Sequence, residues 1–452
     1  MLRRFVRMLV HVITSTFFRR IDVAGLENVP ETGAVIFAGN HPNALMDGWL
    51  LTAKCGRWPL HFMASAKLWE FPLLGPLMTA SGAVPVYRRE EHGDDADNSR
   101  AFEKLYEVME AGQTMGVFPE GISHAESQLV KLKTGTARIA LAVAARGKTE
   151  VSIVPCGLNY IHRHRFRSQV LIEFGEPIVV GAEWAERYRN DEREAVLALT
   201  ELLADALRAV TLNAPDWSTI RKAQIARRLY KPSSVELSPQ QYVELNRRFI
   251  DGYLRVVDHP DMQEFQNAAE NYQARLEMLG LKDYQLRQEI PPGTAIRKAL
   301  SRFLTMLVLL PIAIPGGLLH LPVGWIASLV GERFSYEMDD IATLKVFATI
   351  LLLPVIYIAV ATLVGLNFGW LIGLVTLVLL FLSFAASVRL LEAETNLLVS
   401  MLAVLRLARF SEDVKELREE RAALVAQVRA LADRFADPET PRMFTRDDFG
   451  RR

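Results

Sequence analysis

The sequence predicts an α/β protein: a three-layer domain on a mostly parallel sheet, followed by a helical region and C-terminal transmembrane helices. Three observations predict it. Between residues 21 and 180, apolar runs at 34–38, 59–64, 83–87, 115–119, 151–158 and 169–174 alternate with stretches of helical composition such as 97–111 and 133–147. That is the pattern of strands joined by crossover helices. From 181 to 300 the strand signal gives way to charged, amphipathic periodicity, as over 192–210 and 242–257, with Pro215 and Pro232 marking breaks. Beyond 303 the chain turns apolar, and 346–364 and 370–388 each run without a charge for long enough to cross a bilayer.

Composition sets the outer bounds. The chain has 452 residues, is 50% hydrophobic and has a mean hydropathy of +0.13, enough for a large core plus membrane segments. Lys+Arg and Asp+Glu balance at 52 each, so no overall field favours nucleic acid, and none is expected as a partner. Cys55 and Cys156 both lie in apolar surroundings, which fits a reducing compartment and provides neither a disulfide framework nor a metal cluster.

Residues 1–20 contain Arg3, Arg4, Arg7, Arg19 and Arg20 and no acid. Leu2, Phe5, Val6, Leu9, Ile13 and Phe17 recur at helical spacing beside that basic face. This predicts a helix lying in the plane of an anionic membrane surface. The Arg19-Arg20 doublet and the lack of a small-residue cleavage site argue against a signal peptide.

In a parallel sheet, sites form at the carboxyl ends of the strands. His41, Arg88 and Glu120 each follow an expected strand directly, so all three should gather along one edge. Gly39 and Asn40 end the first strand, and Pro42 suits the first position of a helix. That places His41 at the helix N-cap with Asp47 about one and a half turns further in. A histidine with a carboxylate in reach is what a general base needs, since the acid fixes the tautomer and stabilises the imidazolium. A capping histidine in a polar turn is the alternative on these residues alone.

Four blocks in order carry a resemblance: Gly39-Asn40-His41-Pro42-Asn43-Ala44-Leu45-Met46-Asp47; Gly82-Ala83-Val84-Pro85-Val86-Tyr87-Arg88-Arg89; Val117-Phe118-Pro119-Glu120-Gly121-Ile122-Ser123; and Val151-Ser152-Ile153-Val154-Pro155-Cys156-Gly157. Over residues 20–180 the chain resembles the glycerolipid acyltransferase superfamily, which includes glycerol-3-phosphate and 1-acylglycerol-3-phosphate acyltransferases. The wording around Asn40-His41-Pro42-Asn43 and Ser123-His124 is similar to the branch with fungal glycerol-3-phosphate and dihydroxyacetone-phosphate acyltransferases. The resemblance implies that His41 and Asp47 are the catalytic dyad. It implies that Arg88, Glu120 and Gly121 hold the acceptor's glycerol-phosphate, and that Pro155 shapes the acyl-donor side. Ser123 joins the candidate substrate contacts. The superfamily places four residues between His and Asp; here there are five. A histidine outside helical phase tolerates the extra one.

Lys133, with Lys131 and Arg138, offers cationic contacts to phosphate or coenzyme A, or else a solvated helix start. His124 and Glu126 suggest a second acid/base pair by residue type, but they are expected to be loop residues. The stretch 71–78 would line an acyl channel or serve as ordinary core. Residues 303–330, broken by Pro311, Pro315, Gly316, Gly317, Pro322 and Gly324, suit a re-entrant or interfacial hairpin, and 346–388 a transmembrane hairpin. That arrangement keeps the catalytic domain and the Arg-rich tail on one positive, cytoplasmic side. Within the 389–436 tail, Val414, Leu417, Arg421, Leu424, Val428, Leu431 and Phe435 form a heptad seam. It serves either self-association through 414–435 or packing on the chain's own helices. Residues 437–452 read as disordered.

The expectation is a membrane-bound acyltransferase of phospholipid synthesis that uses acyl-coenzyme A or acyl carrier protein as co-substrate, with no metal and no bound cofactor. The oxyanion would need a backbone N–H that the sequence does not identify. A coenzyme-independent transacylase and a non-catalytic membrane scaffold are the alternatives. The intact set His41, Asp47, Arg88 and Glu120 argues against the scaffold.

Overall fold

The computed structural model describes residues 2–70, 74–87, 99–232, 235–287, 292–335, 338–409, 411–435, 441–444 and 448. Arg88 and Arg89, residues 71–73 of the expected channel stretch, and most of 437–452 lie outside them. The chain divides into two compact units. The first comprises Met1–Trp217, Leu237–Arg247 and Phe334–Val346; the second comprises Ser218–Glu236, Arg248–Arg333 and Phe347–Arg452.

The first unit is built on an eight-stranded sheet: β1 (Phe18–Ala24), β2 (Ala34–Gly39), β3 (Leu60–Ser65), β4 (Val84–Val86), β5 (Thr114–Val117), β6 (Val151–Tyr160), β7 (Ser168–Phe174) and β8 (Ile178–Val180). Its order is β1-β7-β6-β2-β5-β3-β4, with β8 also on β6. Strand β2 is parallel to both β5 and β6, and β3 is parallel to β4 and β5. Strands β7 and β8 run antiparallel to β6, so the sheet is mixed at one side. All six residues of β2 are buried, as expected of a central parallel strand covered on both faces.

One face carries the helices Ser99–Glu110, Gly135–Ala145 and Glu192–Val210, with Leu105, Ile139, Leu141, Leu199, Leu203 and Leu207 packed on Ile36, Met115 and Ile153. The domain boundary therefore falls later than 180. Val196, Leu199, Leu203 and Leu207 make a stripe at helical spacing that the sheet needs as cover. On the other face lie helix α1 (Leu2–Phe17) and helix α2 (Leu45–Lys54), where Val6 and Val10 meet Trp49 and Ala53.

Two N-terminal expectations change. Residues 18–24 are an edge strand, not the end of the surface helix, and α1 has two apolar faces. Val6, Val10, Ile13 and Phe17 are buried in the protein, while Leu2, Phe5, Met8 and Val12 are exposed on another side.

In the second unit the helix Ser411–Phe435 lies on the helix Pro260–Met278. Val414, Leu417, Leu424, Val428 and Leu431 cover Phe265, Ala269, Tyr272 and Leu276. The polar seam residue Arg421 donates from Nε to Asp283 Oδ1 at 2.8 Å, and Tyr272 donates to the same oxygen at 3.1 Å. The heptad seam is thus spent inside the chain, which removes the apolar surface that self-association through 414–435 would use.

Among the described residues, three helices are apolar and long enough to span a membrane: Phe303–Phe334, Ile341–Phe368 and Trp370–Leu391. The first is no hairpin, because residues 292–334 form one continuous helix through Pro311, Pro315 and Pro322. Side chains from the third help it continue. Gly316 N, just past Pro315, donates to Ser383 Oγ at 2.9 Å, and Ser383 and Ser387 Oγ each lie 3.4 Å from Ala313 O.

Candidate active site

The structure gathers the ends of three adjacent strands. His41 follows β2, Glu120 follows β5 by way of Phe118 and Pro119, and Tyr160 closes β6. Pro42 does not open the helix as expected. Residues 41–44 form a turn, and α2 starts at Leu45 with Ala44 before it at φ 43°. A left-handed alanine costs on the order of 1–3 kcal/mol and persists where its surroundings fix it. The turn absorbs the five-residue spacing and brings Asp47 into the first turn of α2, facing back toward His41.

His41 Nδ1 lies 2.8 Å from Asp47 Oδ2. Asp47 is fully buried and accepts two further bonds, from Asn43 N at 2.7 Å to Oδ2 and from the Tyr160 hydroxyl at 2.5 Å to Oδ1. Burial first, then the Asp47 charge, hold the Tyr160 phenol far above its usual range, so it stays a donor. With Nδ1–H committed to the carboxylate, His41 Nε2 carries the lone pair. The imidazole also stacks on Phe118, with ring centres 4.0 Å apart and planes within 6°, and Phe118 stacks on Phe62 at 5.7 Å. Phe62 can lie there only because residue 116 is glycine. A Cβ at that position would stand 2.2 Å from its Cε1.

Glu120 Oε1 accepts from the His41 backbone N–H at 3.0 Å, and His124 Nε2 contacts Glu120 Oε2. His124 N also donates to His41 O at 3.0 Å. His124 lies in a loop, as expected, and is also brought to the site. Gly121, at φ 79°, ends a turn closed by its N–H on Phe118 O at 2.9 Å. Lys133 lies across Gly121, where a Cβ would meet its Cδ at 2.6 Å, so its ammonium is carried to the turn. Ser123 is half-buried in the same loop. Pro155 is elsewhere: it is buried in mid-β6, in register with Ala38, with its ring beside Gly175.

Sequence reasoning missed four supporting residues besides His124. Tyr160 sits at a strand's carboxyl end, so the rule that selects His41 and Glu120 reaches it too once β6 is extended by two residues. Asn40 ties the turn to β6, accepting from Leu158 N at 2.7 Å and donating to Leu158 O at 3.3 Å. Asn43 donates its amide to Arg163 O at 3.0 Å. Arg163 reaches Pro42 O at 3.5 Å and His124 O at 3.4 Å. These partners lie far off in sequence, and no local pattern announces them.

Burial, reinforced by Asp47, pushes the Glu120 carboxyl up to about 7 against the pull of the His41 N–H. Between the usual carboxylate range and that value the folded chain holds a proton that the unfolded chain has released, so stability falls as pH rises through this window. The neutral isostere in Glu120→Gln has no such slope. The thermal midpoint of the wild type should therefore lose ground relative to Glu120→Gln between about pH 5 and about pH 8 in detergent solution. His124, held below its usual value mainly by burial, acts in the opposite sense but is present in both proteins. A constant difference across the range would show that Glu120 is ionised throughout.

Residues 20–159 match the family described as Acyltransferase, and residues 222–441 match the one described as Glycerol-3-phosphate acyltransferase 2 C-terminal domain. Glycerol-3-phosphate O-acyltransferase 2 of Saccharomyces cerevisiae is 34% identical over 326 residues, 66% of this chain and 44% of the yeast protein. Glycerol-3-phosphate O-acyltransferase 1 of the same yeast is 30% identical over 285 residues, 62% of this chain and 37% of that protein. The crystal structure of the 1-acyl-sn-glycerophosphate (LPA) acyltransferase PlsC from Thermotoga maritima covers 44% of this chain and 80% of its own, at 22% identity and a TM-score of 0.32. The chain spans less than half the length of the two yeast proteins. Two successive stretches of the chain thus match acyltransferase families, residues 20–159 the one described as Acyltransferase and residues 222–441 the Glycerol-3-phosphate acyltransferase 2 C-terminal domain.

Proposed function

We propose that the protein is a membrane-bound O-acyltransferase of glycerolipid synthesis, moving a fatty acyl chain from an acyl thioester to a hydroxyl of glycerol-3-phosphate or 1-acylglycerol-3-phosphate. The observation that carries this reading is the His41–Asp47 pair at 2.8 Å on the carboxyl edge of the sheet, with the carboxylate held by two further donors. His41 Nε2 takes the hydroxyl proton as the oxygen bonds to the thioester carbonyl carbon. Collapse of the tetrahedral adduct breaks the C–S bond, and the imidazolium returns its proton to the leaving sulfur. Lys133 and the Glu120-Gly121 turn face the acceptor, with Arg88 assigned to its phosphate by family resemblance. The donor is acyl-coenzyme A or acyl carrier protein, and no cofactor takes part.

The test is an assay of the reconstituted chain with glycerol-3-phosphate, dihydroxyacetone phosphate and 1-acylglycerol-3-phosphate, each offered both thioester donors. Thioester-dependent ester formation on one of them is expected. Chain exchange between phospholipids without any thioester would replace this reading with the transacylase.

Membrane attachment is part of the proposal. The helix Pro260–Met278 precedes the three apolar helices and Ser411–Phe435 follows them, yet the two pack face to face. Segments in contact lie on one side of a bilayer, so an even number of complete crossings separates them. We assign those crossings to Ile341–Phe368 and Trp370–Leu391, and leave the proline-bearing Phe303–Phe334 as the segment that does not fully cross. The catalytic domain and the tail then share the cytoplasmic face.

A further inference from the structure

The loop between β6 and β7, residues 161–167, is Ile-His-Arg-His-Arg-Phe-Arg: five basic side chains, two large apolar ones and no acid. The catalytic reading uses only the contacts of Arg163. Ile161 is 49% exposed and Phe166 43%, and His162 and Arg165 are exposed between them.

This loop is locked to helix α1. Arg167 N donates to Phe17 O at 2.7 Å, and its guanidinium reaches Ser15 O at 3.1 Å and Thr16 O at 3.0 Å, capping the carboxyl end of the helix. Phe166 meets Phe17 edge-on at 6.0 Å. The exposed apolar side of α1, Leu2, Phe5, Met8 and Val12, and its exposed arginines Arg3, Arg4 and Arg7 are thus fixed in position relative to the loop. Exposed Arg19 lies one residue into β1, beside the Phe18–Ser168 register that ends the loop. Asp339, buried in the same compact unit, adds a charge that acts on Arg163.

We propose that the β6–β7 loop is a membrane-docking element in its own right. Ile161 and Phe166 enter an anionic bilayer surface and Arg165, His162 and Arg19 meet its headgroups, so that the loop and α1 hold the active-site rim at the lipid. Apolar residues interleaved with cations and free of acids suit the boundary of an anionic leaflet. Because Tyr160 immediately precedes the loop and Arg163 bonds to both catalytic turns, this contact fixes the depth of His41 relative to the acyl acceptor's leaflet. The inference rests on the membrane-bound reading and not on the acyl-transfer chemistry.

The test uses the full chain reconstituted in vesicles without substrate. Ile161→Cys and Phe166→Cys, made separately, carry an environment-sensitive fluorophore. Cys55 and Cys156 are buried, and burial raises both thiols, Cys55 to about 11, so they label poorly. Leu197→Cys is the control, exposed on the helix Glu192–Val210 that covers the opposite face of the sheet from α1. Brominated phospholipid should quench the labels at 161 and 166 at least twofold more than the label at 197. The excess should be larger in phosphatidylglycerol vesicles than in phosphatidylcholine vesicles, and should shrink in Arg165→Ala. Two sites guard against one label disturbing the loop. Quenching at both no greater than at 197 would overturn the proposal, and it would do so whether or not the chain transfers acyl groups.

Discussion

His41→Ala should lower turnover by two to four orders of magnitude, the range over which a positioned general base acts, while the protein stays folded. The separation is expected because the backbone of His41, not its ring, closes the structure around it. Its N–H bonds to Glu120 and its carbonyl accepts from His124 N, and alanine keeps both. The ring is only 18% exposed and stacks on Phe118, so its removal lowers stability by lost packing without breaking either backbone bond. Steady-state turnover with a thioester donor, read beside a thermal midpoint in detergent, checks both halves. Activity within twofold of the wild type would place the base elsewhere, with His124 the nearest other imidazole on Glu120.

The sheet was legible because its strands are short runs of apolar residues, and burial on both faces leaves such runs no alternative. Six strands were expected within a residue or two of where they form. The two that were missed have reasons. Strand β1 carries Arg19 and Arg20 at a sheet edge, where charge is tolerated and the apolar signal is weak. Strand β8 is three residues long. The N-terminal region misled because α1 has two apolar faces, one for the protein and one turned outward, and a single list of apolar positions merges them. The tail's heptads mark an apolar seam, but a periodicity does not name its partner. Here Arg421 finds Asp283, and Arg275 pairs with Glu416 and Glu420, all within the chain.

The His41–Asp47 pair was legible as residue types but not as geometry. The helical start drawn at Pro42 would have left His41 and Asp47 out of phase. Instead Ala44 takes a conformation that non-glycine residues seldom adopt, and neighbours distant in sequence hold it there: Asn40 on Leu158, Asn43 on Arg163, Tyr160 on Asp47. The strain is local and the support is not, which is why no reading confined to the first motif would find it.

Asp47→Asn tests whether that support serves catalysis or only folding. The carboxylate accepts from three donors: His41 Nδ1–H, Asn43 N–H and the Tyr160 hydroxyl. An asparagine with its oxygen at the Oδ2 position keeps the first two, and its NH2 then faces a phenol that rotates to accept. The carboxylate's hydrogen-bonding positions stay occupied and one fully buried charge is removed, so the fold should survive with little change in thermal midpoint. What is lost is the negative charge beside the imidazolium at the moment His41 holds the proton. Removing one such preorganised electrostatic contact typically costs on the order of 10²–10³ in rate. The loss should appear in kcat, with KM for the acceptor little changed, since Asp47 is fully buried and has no surface to offer a substrate. Tyr160→Phe should give a smaller fall in kcat in the same direction, because it withdraws one donor from the carboxylate and leaves its charge in place. A mild effect of Asp47→Asn with a severe one of Tyr160→Phe would reverse the assignment, making the phenol and not the carboxylate the group on which His41 depends.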